Sequence, residues 1–412
     1  MLLITGCTRP LRVGMSGDYP PFTWRGAQGQ LQGFDVEMAG AWAAADGRRL
    51  EVVPFAWPEL SGRLAQGDFD LVMSGVTVRG DRLIQAPMTR AVAEAAALAV
   101  VRELADEAKL DLQGVRVAVN RGGHLEKVAR AALPHAEFVL VDDNRSLPAR
   151  LASGEVDVVV TDSLELASFT PRPHLARVLR RDRKAYWVAK DQPELADRLD
   201  EWLAGMEASG RMAALRARHF PMAATTLSVH DARLTDLVAR RLQVMPFVAE
   251  VKAARGLAID DAPREAIIEQ RARAAAGAAG LDVEQHLVFV RAQFAAAKAV
   301  QRQHLATARG SLAIVDLGEE IRPAIDRIDR ALRAELKIGP AQAPAEVLVL
   351  RIRALAALAG LSDETLLPLA RALRGQKAER LRVIGGPPVR EVRPVFFSEL
   401  FRDAGGAAAD VD

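Results

Sequence analysis

Arg241 and Lys252 stand eleven residues apart in a stretch that contains no glycine. Eleven residues are about three turns of an α-helix, so both cations project from one face. The apolar residues between them would lie against other helices, and they are Leu242, Met245, Val248, Ala249 and Val251. Two cations that point the same way inside a helical bundle are suited to bind a small dianion. The plain alternative is an amphipathic helix whose charges are solvated.

The segment that follows would bring a third cation and a carboxylate to the same place. Residues 260–263, Asp-Asp-Ala-Pro, are typical of a helix start, with an aspartate cap and a proline in the first turn. Arg264 and Glu265 come directly afterwards. Their side chains therefore belong to the first turn of a new helix, which follows the one that carries Arg241 and Lys252.

This pattern resembles the all-helical chorismate mutases, most closely their secreted gamma subclass. The matching residues are Arg241, Lys252 and the run Asp261-Ala262-Pro263-Arg264-Glu265, followed by Gly280-Leu281-Asp282, Gln301 and Ile321-Arg322-Pro323-Ala324-Ile325-Asp326. The match is close from about 228 to 335 and looser to about 385. The resemblance implies an all-α bundle that rearranges chorismate to prephenate without a cofactor.

The resemblance also implies a role for each matched side chain. The cations that would hold the substrate's carboxylates are Arg241, Lys252, Arg264 and Arg322. Lys252 and Gln301 would donate hydrogen bonds to the ether oxygen whose bond breaks. Glu265 would accept a hydrogen bond from the ring hydroxyl, and Asp261 belongs to the substrate-binding set. Helical mutases of this subclass are homodimers with a complete site in each chain, so we expect a homodimer through this half.

Length and composition exclude several classes of function. The chain has 412 residues, enough for two or three domains, with 55 Lys and Arg against 53 Asp and Glu. A net charge of +2 gives no basic field that would favour nucleic acid. No apolar run is long enough for a transmembrane helix, and the seven histidines show no ligand spacing, so we expect no metal. No nucleotide-binding loop is present either, and we expect no cofactor.

The first half of the chain alternates short β-runs with helical segments, which predicts an α/β fold of two lobes with a cleft between them. The β-runs are at 11–16, 50–55, 69–75, 115–119, 138–142 and 156–162, and the main helices at 35–46, 124–132, 145–152 and 191–220. We expect the lobes to be joined near 98–103 and near 185–190. Lobe one would then be about 11–100 with 190–222, and lobe two about 101–189. Helices dominate from 228 to 385, and 386–412 is a tail.

Four runs in this half resemble the type 2 periplasmic solute-binding fold, in its amino-acid-binding branch. They are GDYPPF (17–22), GFDVEM (33–38), FDLVMSGVTVRGDR (69–82) and GEVDVVVTDS (154–163). The resemblance implies that Arg82 grips a ligand carboxylate, because a guanidinium binds one bidentately. Ser74 and Thr77 would add hydrogen bonds. The alternative for Arg82 is a surface charge.

Within that fold, the chain resembles one enzymatic offshoot more closely, the cyclohexadienyl (prephenate/arogenate) dehydratases. The matching elements are Trp57-Pro58, Val119-Asn120 with Gly122-Gly123, Asp142-Asp143-Asn144 and Thr161-Asp162 with Glu165. The resemblance implies that Glu165 is the general acid, kept protonated by burial, that protonates the departing hydroxyl of prephenate. Trp57, Asn120 and Gly123 would bind the substrate. Asp162 would pair with an ammonium group in amino-acid binders, so arogenate stays open beside prephenate.

The chain departs from the dehydratase pattern directly after its Gly-Gly pair. The dehydratases continue with Thr-Asn, whereas this chain has His124-Leu125. His124 either replaces the lost polar contacts as a cation or is a solvated residue at a helix start. Lys184 is a candidate for a second contact to a substrate carboxylate.

The two resemblances name consecutive reactions, because a mutase makes the prephenate that a dehydratase consumes. We therefore expect a bifunctional enzyme that converts chorismate to phenylpyruvate, or arogenate to phenylalanine. The alternative is a mutase fused to a solute-binding module that has no activity of its own.

The first ten residues, MLLITGCTRP, resemble the end of a bacterial lipoprotein signal with Cys7 at the acceptor position. The apolar part before Cys7 is too short for a working signal. Either the sequence begins inside a longer signal peptide or Cys7 is incidental. We expect a periplasmic or exported protein, with a lipid anchor at Cys7 in the first case.

Overall fold

The computed structural model describes residues 9–220, 227–307, 316–357 and 361–375. Cys7 lies outside these ranges, and so does the predicted tail at 386–412. The described part consists of a two-lobed α/β region and a helical region that packs on it.

The strands of the α/β region are β1 (Leu11–Met15), β2 (Asp18–Tyr19), β3 (Thr23–Arg25), β4 (Leu31–Gln32), β5 (Leu50–Pro54), β6 (Leu71–Val72), β7 (Ala93–Val101), β8 (Arg116–Asn120), β9 (Glu137–Val141), β10 (Val158–Asp162), β11 (His174–Lys184) and β12 (Trp187–Val188). Its helices are α1 (Phe34–Ala45), α2 (Leu60–Ala65), α3 (Gly80–Gln85), α4 (His124–Ala132), α5 (Leu147–Ser153), α6 (Pro193–Ala208) and α7 (Arg211–His219). Short 3₁₀ turns connect several of them.

Each lobe is built on its own sheet. In lobe one the strand order is β12-β6-β1-β5, and β1 runs parallel to both β5 and β6. In lobe two the order is β11-β7-β10-β8-β9, where β8 is parallel to β9 and β10, while β7 is antiparallel to β10 and β11. A third small sheet, β2-β3-β4, lies between the first strand and α1.

The chain crosses between the lobes earlier than the sequence predicted. The first crossing lies before β7, because all of Ala93–Val101 belongs to the sheet of lobe two. The second lies between Lys184 and Trp187, where β11 ends and β12 begins. The predicted first junction near 98–103 was wrong. The Ala-rich run contains no turn residue that would mark the change of lobe in the sequence.

The helical region contains α8 (Val229–Ala254), α9 (Ala262–Ala279), α10 (Val283–Thr307), α11 (Arg322–Ile338), α12 (Ala345–Ala356) and α13 (Asp363–Leu373), with a π-helical turn at Leu317–Ile321. The hydroxyl of Ser228 accepts from the Asp231 N–H at the start of α8, and Asp261 caps α9 in the same way. α8 is the central helix. It packs against α10, α11 and α12, and its residues from Leu234 to Met245 are buried.

The helical region shares an apolar core with lobe one. Val78, Leu83 and Ile84 from around α3 belong to the same buried cluster as Leu242 and Val244 of α8. At Gly80, a side-chain carbon would overlap the carbonyl oxygen of a residue on α8, so the two helices touch backbone to backbone there. α3 and α8 therefore form one packed unit.

Candidate functional site

A cavity of about 500 Å³ opens between α8, α9, α10 and α11. The structure brings every residue predicted for the helical site to its wall. These residues are Arg241, Lys252, Asp261, Arg264, Glu265, Gln301 and Arg322. The packing of four helices thus gathers side chains that are up to 81 positions apart in the sequence.

The two cations of α8 that line this cavity, Arg241 and Lys252, have different partners. Arg241 is 8% exposed, and its Nε donates to Asp329 on α11 at 2.9 Å. Its Nη1 is buried and has no partner among the described residues, so it can donate to a ligand. The ammonium of Lys252 donates to the carbonyl of Ile259 at 3.0 Å. Burial lowers the pKa of Lys252, while Asp261 and other carboxylates nearby act against that change.

The first turn of α9 supplies a cap, a cation and a carboxylate. Asp261 Oδ1 accepts from the backbone N–H of Arg264 at 3.0 Å. The aspartate therefore fixes the helix start, which is a structural role next to the predicted substrate contact. Glu265 accepts from Lys298 of α10 at 3.1 Å. A ring hydroxyl would share Glu265 with this lysine.

Gln301 lies on the buried face of α10 and is 5% exposed. Its amide nitrogen donates to the carbonyl of Ala297 at 3.2 Å and lies 3.9 Å from the sulfur of Met245. Its Oε1 is buried without a partner among the described residues. The amide oxygen is thus the free end in this rotamer, and donation to a substrate oxygen requires the amide to turn.

Several cavity residues have no counterpart in the sequence-based prediction. They include His286, Gln293, Lys298, Asp329 and Arg333. His286 and Gln293 precede Gln301 on α10 by fifteen and eight residues, close to whole turns of a helix. That spacing is the signal that could have found them. The pairs with Asp329 and Lys298 depend on contacts between helices, which spacing along one helix does not reveal.

A second and much smaller cavity, of about 40 Å³, lies in the cleft between the two lobes. Its wall includes residues from both lobes, so the lobes are closed on each other. The predicted residues that line it are Trp57, Thr77, Arg82, Asn120, Gly123, His124 and Lys184. Among the residues that the structure describes, Ser74, Asp162 and Glu165 are predicted site residues that do not line it.

Arg82 is a buried cation and not a surface charge. It is 6% exposed, its Nη1 donates to the carbonyl of Thr77 at 2.9 Å, and its guanidinium lies 5.5 Å from the ring centre of Trp187. Burial lowers the pKa of Arg82 to about 9. Its Nε is buried and without a partner in the described part of the chain. A carboxylate in the cleft would satisfy that nitrogen.

Glu165 follows β10 and is 2% exposed. Its carboxyl accepts from the hydroxyl of Thr161 at 2.6 Å. Burial raises the pKa of Glu165 to about 8, and the nearby charges of Asp162 and Asp18 act in the same direction. The carboxyl is therefore protonated at neutral pH and can give up a proton.

His124 and Asp182 form a buried pair at the edge of the cleft. His124 is 8% exposed, so it is not the solvated residue that one alternative described, and its Nε2 lies 2.7 Å from Asp182 Oδ2. Burial acts to raise the pKa of Asp182, yet His124 and Arg180 outweigh it and lower that pKa to about 2. The aspartate is thus ionised. Burial lowers the pKa of His124, and the charge of Asp182 opposes that change without reversing it.

Ser74 is buried behind the cleft and does not reach it. Its hydroxyl lies 2.8 Å from that of Thr23 and 2.9 Å from that of Ser16. These contacts within lobe one occupy the hydroxyl that was predicted to bind a ligand. Tyr19 and Asn144 do line the cavity and were not predicted as site residues. Both lie in sequence runs on which the resemblance rests, so those motifs could have identified them as site residues.

Comparison with known proteins places this geometry in a family. The sequence profile of the bacterial extracellular solute-binding proteins, family 3, matches residues 11–222, more than half of the chain. The chain belongs to this family. The two-lobed α/β fold predicted from the sequence is therefore confirmed.

Two relatives of this solute-binding domain come from Pseudomonas aeruginosa. A cyclohexadienyl dehydratase is 34% identical over 219 residues, which is 48% of this chain and 78% of that protein. An L-arginine-binding protein is 30% identical over 162 residues, which is 38% of this chain and 62% of that protein. Among solved structures, an ancestral amino acid-binding protein, described as a precursor of cyclohexadienyl dehydratase, is 29% identical with a TM-score of 0.48. It covers 51% of this chain and 95% of its own.

The helical region has a separate match. The profile of chorismate mutase type II matches residues 226–302, which include α8, α9 and most of α10. The predicted combination of a solute-binding domain with an all-helical chorismate mutase domain is confirmed. No helix in the described ranges is both long and apolar enough to cross a bilayer.

Proposed function

We propose that this family member catalyses two consecutive reactions, chorismate to prephenate in the helical cavity and prephenate to phenylpyruvate in the cleft. The observation that carries the second reaction is Glu165, a buried carboxyl that is protonated at neutral pH. A protein that only binds a solute needs no acid there. The first reaction is supported by the cations that converge on the cavity of about 500 Å³.

In the helical cavity, the work is orientation and charge stabilisation. The substrate is a dicarboxylate that reacts only when folded, and Arg241, Arg264 and Arg322 can bind its two carboxylates from different helices. Asp329 holds the Arg241 guanidinium by Nε and leaves Nη1 for the ligand. Lys252 faces the same space and would stabilise the negative charge that builds on the ether oxygen. The rearrangement transfers no proton to the protein.

In the cleft, the departing group needs a proton. Prephenate loses its ring hydroxyl as water when Glu165 protonates it, and the C–C bond to the ring carboxylate breaks at the same time. That carboxylate leaves as carbon dioxide, and its bonding electrons complete the aromatic ring. Arg82 would hold the substrate's other carboxylate by its unpartnered Nε. Solvent then restores the proton of Glu165 when the lobes open.

The second candidate is a solute-binding module joined to an active mutase. The observation in its favour is that Glu165 does not line the small cavity between the closed lobes in the described structure. Purified protein incubated with prephenate at neutral pH distinguishes the two candidates. Phenylpyruvate formation at a rate far above that of a blank supports the dehydratase, whereas binding without turnover supports the module.

Two further statements remain proposals. The description of the family as extracellular fits a protein that works outside the cytoplasm, and the location of the protein in a fractionated cell would test this. A homodimer through the helical domain is the assembly that we propose. Light scattering of the purified protein would give its mass in solution.

A further inference from the structure

We infer that the cleft selects ligands that carry carboxylates and rejects those that carry an ammonium group beside the carboxylate. If the cleft is the dehydratase that we propose, its substrate is the 2-oxo acid prephenate and not the amino acid arogenate. The inference rests on how the charged groups around the cleft are paired within the protein.

The carboxylate of Asp162 already has an ammonium partner. Lys184 Nζ lies 2.9 Å from Asp162 Oδ2 and donates to the hydroxyl of Thr77 at 2.9 Å. Lys184 is 2% exposed and Asp162 is fully buried. The ammonium also lies 5.3 Å from the ring centre of Tyr19, which the cation–π attraction favours. The lysine thus occupies the position in which a ligand's ammonium would neutralise Asp162.

The other carboxyl groups around the cleft are also satisfied or neutral. Asp182 is paired with His124 and with Arg180. Asp35 accepts from the Gly75 N–H and from the Tyr186 hydroxyl. Asp18 accepts from the indole N–H of Trp57 at 3.2 Å.

Glu165 adds no negative charge at neutral pH, because burial keeps it protonated. Among the described residues that surround the cleft, Asp162 and Asp182 have cationic partners, whereas Asp18 and Asp35 have neutral donors and do not line the cavity. An incoming ammonium group would have to displace Lys184 before Asp162 could neutralise it.

The Arg82 cation is in the opposite situation. Arg82 lines the cavity, is 6% exposed, and has no carboxylate within ion-pair distance among the described residues. Its Nε is buried without a partner. An entering carboxylate would pair with Arg82, whereas an entering ammonium would meet Arg82 as a like charge and would find Asp162 already paired with Lys184. Burial of an unpaired charge in such a site is strongly unfavourable.

A matched pair of ligands tests this inference. Phenylpyruvate and L-phenylalanine have the same ring and carboxylate, but phenylpyruvate carries a keto group where L-phenylalanine carries an ammonium group. Calorimetry at pH 7 should show binding of phenylpyruvate and at least 100-fold weaker binding of L-phenylalanine and L-arginine. Equal or tighter binding of either amino acid would overturn the inference.

Turnover gives a second and independent measure. We expect kcat/KM for prephenate to exceed that for arogenate at least 100-fold. Comparable values for the two substrates would contradict the inference while leaving the proposed dehydratase intact. Absence of turnover with both would contradict the proposed dehydratase, and the binding measurement would still decide the inference.

Variants of the ion pair assign the selectivity to named side chains. Lys184→Gln should lower the preference for the keto acid at least tenfold. Asp162 then has no cationic partner within the protein, and the ammonium group of an amino acid can take that place. The double variant with Asp162→Asn removes both charges, so folding is not burdened by an unpaired carboxylate. It offers an ammonium group no carboxylate, and we therefore expect it to keep the parental preference. Lys190→Gln, at an exposed lysine nearby, is the matched control and should keep the parental preference. A preference that is unchanged in both Lys184 variants would exclude the ion pair as its cause.

Discussion

At the scale of single residues, Asp162 and Glu165 are three positions apart and both are buried, but the protein gives them different partners. Asp162 is neutralised by the Lys184 ammonium. Within the described ranges, the Glu165 carboxyl has one hydrogen-bond partner, the hydroxyl of Thr161. Because a hydroxyl cannot compensate the cost of a buried charge, Glu165 keeps its proton. An ion pair and a proton donor are thus placed side by side.

The first prediction concerns Glu165. The variant Glu165→Gln should lower the rate of phenylpyruvate formation from prephenate by a factor of about 10²–10⁴, the usual contribution of a general acid. Consumption of chorismate should be unchanged, since the helical cavity is separate. Both rates can be followed by chromatography. Glu137→Gln, at an exposed glutamate of the same lobe, is the control.

The pH dependence follows from the same carboxyl. Burial raises the pKa of Glu165 to about 8, so the acid form is populated below that pH and lost above it. The rate with bound prephenate should therefore be flat near neutral pH and fall as the pH rises through about 8. A rate that rises with pH in this range would show that the ionised form is the active one.

The second prediction concerns Gln301. In Gln301→Glu, the side chain can donate to the ether oxygen only when it is protonated, whereas the amide donates at any pH. The mutase activity of the variant should therefore increase as the pH is lowered, and the parent should vary less. Gln270→Glu, at an exposed position of α9, is the control. A flat pH profile for Gln301→Glu would remove Gln301 from the proposed role.

The sequence predicted the site residues best where one helix carries them. Arg241 and Lys252 were assigned from their spacing, and both line the large cavity. The partner of Arg241 could not be assigned in this way, because Asp329 comes from α11 and its position depends on how two helices pack. The neighbours of Ser74 could not be assigned in this way either, because Ser16 and Thr23 come from another part of lobe one.

At the scale of elements, periodic patterns predicted most strands and helices within a few residues. The helix expected at 124–132 is α4, His124–Ala132, and the strand expected at 138–142 is β9, Glu137–Val141. The long strand β11 was missed, because His174–Lys184 is rich in arginine and lacks alternation of apolar and polar residues. Several of its charged side chains form ion pairs with distant residues, such as Arg177 with Asp111 and Arg183 with Asp236, which no local pattern shows.

The third prediction concerns the contact between α3 and α8. A side-chain carbon at Gly80 would overlap the carbonyl oxygen of Gln243, so Gly80→Ala should push the helices apart. We expect a loss of about 1–3 kcal/mol in the free energy of unfolding, as for other overpacked cores. Urea unfolding would measure it. Gly62→Ala, in α2 with open space around it, should leave stability equal or higher.

At the scale of the whole molecule, the helical domain is joined to the strands that connect the two lobes. Arg183, at the end of β11, pairs with Asp236 of α8, and Arg240 lies 2.9 Å from the same aspartate. Glu94, at the start of β7, pairs with Arg351 of α12. These strands lead into both lobe crossings, so the helical domain stabilises the region about which the lobes would open.

The fourth prediction concerns Asp236. Burial acts to raise the pKa of Asp236, but Arg183 and Arg240 outweigh it and hold that pKa well below the ordinary value. The stabilisation by this pair is therefore present at neutral pH and is lost only in strong acid. Asp236→Asn leaves two buried cations without their carboxylate, and it should cost about 3–5 kcal/mol. Thermal unfolding at pH 7 would measure the loss, with Asp197→Asn at an exposed ion pair as the control.

A smaller loss in Asp236→Asn, equal to that of the control, would contradict the stabilising role that we assign to this ion pair.

In the parent, the two domains should unfold in one transition, because the ion pairs and the shared core join them. Two separate transitions in the parent would show that the domains are independent.

The most direct test is a time course with chorismate as the only substrate. Purified protein at pH 7 should consume chorismate, pass through prephenate, and form one phenylpyruvate for each chorismate. The Glu165→Gln variant should stop at prephenate. A parent protein that also stops at prephenate, or that leaves chorismate unchanged, would contradict the proposal that one chain carries both reactions.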